Sequence, residues 1–127
     1  MNDETVKKIN SYKDLIVWQK SMELVKEVYK ITAKYPKSEL YGLTSQTRRS
    51  VVSIPSNIAE GRRRGTKKDF RHFLVVAFGS GAELETQIEI AKSLSFTKGL
   101  NFSVADSLLD EIMRMLNTMI SKLQTTS

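Results

Sequence analysis

Apolar residues in this chain recur at intervals of three and four, and no stretch alternates apolar with polar as a half-buried strand would. The spacing predicts four helices. The first runs from about Asp14 to Tyr35 and carries two apolar stripes. One is Leu15, Trp18, Met22, Val25 and Tyr29; the other is Val17, Leu24, Val28, Ile31 and Tyr35. Two stripes make a face wider than one bundle seam needs. Pro36 ends this helix, because the residue before a proline avoids helical geometry.

The second helix spans about Leu40 to Arg64, with Leu43, Val51, Ile54 and Ile58 inward and the small Ser50, Ser53 and Ala59 between them. Pro55 is expected to kink it. Gly65 suits the left-handed residue after a helix end, and Thr66 with Asp69 has capping-box spacing. The third helix runs from about Lys67 to Leu94 on the seam Phe70, Leu74, Ala77, Gly81, Leu84, Ile88 and Ala91. Gly79 and Gly81 each cost about 1 kcal/mol in a helix interior, so both are expected to let a neighbouring backbone come close. Gly99 and Asn101 mark the next turn. Ser103 is read as the cap of a fourth helix, with Ala105, Leu109, Ile112, Leu116, Met119 and Leu123 as its seam. Short connections place successive helices antiparallel. The expected fold is all-α, an up-down-up-down four-helix bundle.

Composition narrows the chemistry. A chain of 127 residues reads as one domain, 1–127, with ends at 1–12 and 124–127 expected to fray. It has no Cys and one His, which removes thiolate chemistry and nearly removes metal binding. Asp69 and His72 have the spacing of a carboxylate–histidine pair, but a di-metal bundle needs two such pairs and only one is present. No nucleophile–histidine–acid motif, acid–base carboxylate pair or phosphate-binding glycine loop appears, so no enzyme, cofactor or metal is expected. The polar start MNDETVKKIN lacks an apolar signal core, and no apolar run approaches the ~20 residues of a membrane span. A cytoplasmic protein without a membrane partner is expected.

Charge is the distinctive feature. Residues 45–72 hold eight basic against two acidic side chains, and so carry the whole net charge of +6. Arg62, Arg63, Arg64, Lys67 and Lys68 crowd around the turn at Gly65, with Arg71 one turn further on. Cations at a helix C-terminus need no special explanation, and this covers the arginines. Lys67 and Lys68 sit at the positive end of the next helix, where electrostatics alone would favour acids. That cost points to phosphate-backbone contacts. No aromatic interleaves the cluster, so base stacking is not expected there. Arg48 and Arg49 are expected to lie opposite Glu83 and Glu85 and to join a polar network with Gln46, Ser53, Asn57 and Gln87; a nucleic-acid contact is the alternative.

Three segments carry a family resemblance: SIPSNIAEG (Ser53–Gly61) with Gln46–Arg49 before it, GSGAELETQ (Gly79–Gln87), and the opening YKDLIVWQKSMELVKEVYKIT. Together they resemble the four-helix-bundle proteins encoded in intervening sequences of bacterial 23S ribosomal RNA genes. The resemblance covers roughly residues 12–96, and the basic positions Arg48, Arg49, Arg62, Arg63 and Arg64 match its motif. It implies a ring-like homo-oligomer, a homopentamer in known relatives, with no established enzymatic activity. It also implies kinship with the accessory variability determinant of diversity-generating retroelements, a basic ring that binds nucleic acid and a reverse transcriptase. The expected function is therefore a homo-oligomeric, non-enzymatic nucleic-acid-binding module, RNA favoured. The alternative is a scaffold docking a nucleic-acid-processing partner protein. A second subunit would also cover the surplus stripe of the first helix.

Overall fold

A computed structural model describes residues 11–124 and contains, among them, four α-helices and no strand. These are α1 (Ile16–Thr32), α2 (Ser45–Arg64), α3 (Lys67–Lys92) and α4 (Ser103–Lys122). Helix α1 packs on α2 and α4, and α3 packs on the same two. The expected fraying falls, for residues 1–10 and 125–127, outside the described residues.

The predicted seams form the core. On α3, Leu74, Ala77, Gly81, Leu84, Ile88 and Ala91 are buried; on α4, Ala105, Leu109, Ile112 and Leu116 are. Burying a side chain of this size contributes roughly 1.5–3 kcal/mol. Helix α1 sends Val17, Leu24, Val28 and Ile31 inward, followed by Tyr35 beyond its end. Its other stripe divides. Leu15, Trp18 and Val25 are half-buried against the core, while Met22 and Tyr29 are exposed. Trp18 also meets the Tyr12 ring edge-on at 5.4 Å. The surplus stripe is therefore largely covered within the chain.

The turn between α2 and α3 forms as expected. Gly65 has a φ of 86°, a conformation that a Cβ would strain. The Asp69 N–H donates to Thr66 Oγ1 at 3.1 Å, capping α3. Above the turn the two helices approach closely. A Cβ on Gly61 would collide with the Phe73 Cβ, and the hydroxyls of Ser53 and Ser80 are 2.7 Å apart.

Three expectations need correction. The backbone departs from helical geometry at Gly42 (φ −116°, ψ −111°), not at Pro55. Leu40–Thr44 forms a wide π turn, with the Glu39 carboxylate accepting from the Leu43 N–H at 3.1 Å. Helix α2 then runs through the buried Pro55, where the Ser56 Oγ donates to the Val52 carbonyl and the Asn57 amide to that of Ser53, at 2.8 Å each.

Ser103 is the first residue of α4, not its cap. Asn101 Oδ1 accepts the Ser103 N–H at 2.9 Å, and Phe102 occupies the cap position. The Asn101 side chain closes an Asx turn on the first N–H of the helix, a donor that a cap at Ser103 would not have taken. Gly81 makes room for the Met113 side chain rather than for a neighbouring backbone, and Gly79 has nothing among the described residues within 4 Å of where its Cβ would be.

Two titrating groups are perturbed. Lys92 ties α3 to α4 through Asp106 at 2.7 Å and to Glu89 at 3.3 Å. The Asp106 hydrogen bond, helped by Glu89, holds its ammonium above the ordinary lysine range. Burial pushes the Tyr35 phenol up.

Candidate nucleic-acid interface

The basic cluster is built on the tight turn at Gly65. The turn brings the last turn of α2 beside the first turn of α3, so Arg62, Arg63, Arg64, Lys67, Lys68 and Arg71 converge at one end of the helix pair. Arg63, Arg64, Lys67 and Lys68 are exposed, and Arg62 and Arg71 are half-buried.

Three of the arginines are held, each in a different way. Arg64 Nε donates to Glu60 Oε2 at 2.9 Å, and its guanidinium lies 4.9 Å from the Phe73 ring centre. An exposed pair of this kind is worth only about 0.3–0.5 kcal/mol and leaves the charge reachable from solvent. Arg63 lies 5.7 Å over the ring of Tyr12. Arg71 Nε donates to the carbonyl of Ile120 at 3.1 Å. Among the described residues, no carboxylate comes within ion-pair distance of Arg63, Lys67 or Lys68. Sequence reasoning saw no aromatic in the cluster. The structure supplies Tyr12 and Phe73 beneath two of its arginines, and Tyr12 comes from 51 residues upstream of Arg63, where no local spacing could reveal it.

Beside the turn an open cleft of about 710 Å³ is lined by Lys68, Arg71, His72, Val75, Leu123 and Gln124. His72 stands edge-on to Phe73 at 5.2 Å. Among the described residues, no three of His, Cys, Asp and Glu converge as metal ligands would.

Arg48 and Arg49 do not pair with Glu83 and Glu85. Arg48 turns to the other side of α2: its Nε donates to Thr32 Oγ1 at 2.9 Å, and its guanidinium lies 4.5 Å over the Tyr29 ring. Arg49, Glu83 and Glu85 are all exposed. The register of the α2–α3 pair is close to the one expected, but α2 has α1 on its other flank, and Arg48 reaches that neighbour instead. The expected polar network shrinks to Ser53, Asn57 and Ser80, with Asn57 Nδ2 2.9 Å from Ser53 Oγ. Gln46 stays on the surface, and Gln87 Oε1 is buried without a hydrogen-bond partner.

Fold and site together define, over the described residues, a protein of four α-helices and no strand with a basic interhelical turn. Residues 13–118 match the 23S rRNA-intervening sequence protein family, and the chain belongs to that family. No curated protein matches it. None of the described helices is long and apolar enough to cross a membrane.

Proposed function

We propose that this chain, one domain over 1–127, is a non-enzymatic RNA-binding protein that grips the phosphate backbone with the turn at Gly65. Arg62, Arg63, Arg64, Lys67 and Lys68 make the contacts, and Arg71 forms the edge of the adjoining cleft. The observation that carries the reading is the exposure of Arg63, Lys67 and Lys68 with no carboxylate among the described residues within ion-pair distance of them. Two of these cations sit where helix α3 already presents its positive end. The arrangement raises local positive potential at some cost to folding, and a polyanion reverses that cost. The family to which the chain belongs favours RNA over DNA as the polyanion.

The protomer is an up-down-up-down bundle acting in the cytoplasm as a ring-like homo-oligomer, five-membered if it follows its relatives. Self-association is supported by the exposed apolar residues Val75 and Val76 on α3, close to Gly79 with its uncovered backbone. An oligomer repeats the basic turn and steepens the salt dependence of binding. A scaffold role toward a nucleic-acid-processing enzyme would use the same apolar residues.

Filter binding to a structured RNA tests the reading. The expected result is tight binding at low salt, with a log–log salt slope that becomes shallower by roughly 0.7–0.9 for each cation removed. No binding at low salt, or binding indifferent to Arg63→Ala, Lys67→Ala and Lys68→Ala together, rejects it. Light-scattering mass before and after nuclease treatment tests the assembly, and a monomer throughout rejects that part.

A further inference from the structure

A second cleft, of about 530 Å³, opens near the other end of α2 between the π turn and the edge of α1, and the phosphate-gripping turn has no part in it. Its volume lies within the roughly 300–1,000 Å³ of ordinary ligand pockets. Its walls hold Tyr29, Tyr41, Thr44, Arg48, Arg49 and Val52, and among the described residues no carboxylate lines it.

Three features give the cleft a chemistry. Tyr41 is 94% exposed, the most uncovered large apolar side chain among the described residues. Arg49 is exposed and Arg48 half-buried, and neither is ion-paired within the described residues. Arg48 is also pre-set: the bond to Thr32 and the ring of Tyr29 fix its guanidinium at the cleft wall. The hydroxyl of Thr44, in the same wall, is buried with no hydrogen-bond partner among the described residues. An exposed ring, two unneutralised guanidiniums and one unsatisfied hydroxyl match a planar base joined to a phosphate. Base–aromatic stacking tolerates any sequence, because every base has a π face.

We propose that this cleft takes one nucleotide of single-stranded RNA, its base stacked on Tyr41 and its phosphate between Arg48 and Arg49. The proposal rests on the RNA-binding reading above and adds a base contact to it. The fifteen helical steps of α2 from Arg48 to Arg63 put the cleft about 22 Å from the basic turn, so the two contacts are separable by mutation.

The experiment compares the full chain with Tyr41→Ala, Tyr41→Phe and the double variant Lys67→Ala/Lys68→Ala. Two probes are used: a single-stranded oligouridylate of twenty nucleotides and an abasic ribose-phosphate strand of equal length. Tyr41→Ala is expected to weaken the base-bearing strand about tenfold, leaving the abasic strand and the salt slope unchanged. Tyr41→Phe keeps the ring and is expected to bind as the parent does. The lysine variant is expected to weaken both strands alike and flatten the slope. Equal weakening of both strands by Tyr41→Ala, or none, overturns the cleft and leaves the basic turn standing. A changed light-scattering mass in Tyr41→Ala overturns it in favour of a second copy seated on the cleft. A parent chain that binds neither strand removes both proposals.

Discussion

Arg71 Nε lies 3.1 Å from the backbone carbonyl oxygen of Ile120, so one cation of the basic cluster closes the C-terminal end of α4. Ile120 is among the last residues of that helix, whose carbonyls lack an intrahelical partner. A charged donor both satisfies the carbonyl and complements the negative helix end. Arg71→Ala is therefore expected to lower stability by about 1–2 kcal/mol, with α4 loosening first at its C-terminus. Thermal or urea unfolding measures the loss, and amide exchange at residues 116–122 locates it. An unchanged midpoint would mean that the contact contributes nothing.

The two lysines on the other side of the turn should behave in the opposite way. Lys67 and Lys68 occupy the first turn of α3, against its dipole, and only Asp69 in that turn has the favourable sign. Replacing either lysine by Glu is expected to stabilise the fold by about 0.3–1 kcal/mol. The same change places a negative charge where phosphate is proposed to sit, so RNA binding should fall. Opposite signs in unfolding and binding assays would mark these positions as kept for a ligand. Destabilisation by both substitutions would mean that the lysines are structural.

Glycines at two positions separate internal packing from an open face. A Cβ at Gly61 meets the Phe73 Cβ, which cannot move without its backbone, and lies 3.2 Å from the Phe70 carbonyl oxygen. Overpacking of this kind costs about 1–3 kcal/mol, against about 1 kcal/mol gained in helix propensity. Gly61→Ala should therefore destabilise. Gly79→Ala meets nothing within 4 Å and should stabilise the isolated chain by up to about 1 kcal/mol. If α3 packs on another copy there, the same substitution lowers the mass seen by light scattering at a fixed concentration. Equal signs for the two substitutions in urea unfolding would contradict the packing described.

The contrast between these glycines also shows what the sequence reveals and what it hides. The seams of α3 and α4, the Gly65 turn and the Thr66 cap are local patterns, and the spacing of apolar and capping residues suffices to read them. Arg48 was misplaced because α2 has two neighbours, and periodicity does not say which one a long side chain at the edge will reach. Reading Ser103 as a cap fails because Asn101 closes a turn on the Ser103 N–H and the apolar Phe102 takes the cap position, which only the backbone path reveals. Tyr12 beneath Arg63, and the cleft joining Tyr41 to Arg49, depend on how separate elements dock. The basic turn itself was legible from charge and helix polarity. Which of its cations is tied to the protein, as Arg71 is, was not.

Alkaline pH should weaken the fold through two groups with the same sign. Tyr35 is buried against Phe96, their rings 5.4 Å apart edge to face, and burial disfavours the phenolate. Lys92 is held charged chiefly by its hydrogen bond to Asp106. Both groups keep their protons more tightly in the folded chain than in the unfolded one. Their contributions are complete below the ordinary values of 10.0 for tyrosine and 10.5 for lysine, and are lost as pH climbs through the raised ones. Urea midpoints should hold steady from these groups up to about pH 9 and then decline. Tyr35→Phe keeps the ring against Phe96 and removes the proton, so its decline should be shallower than the parent's. Asp106→Asn should remove most of the Lys92 share, a smaller effect because that lysine is partly exposed and solvent screens the pair. A parent midpoint that stays flat to pH 11.5, or a Tyr35→Phe variant that declines as steeply as the parent, would show that the buried phenol does not couple ionisation to unfolding.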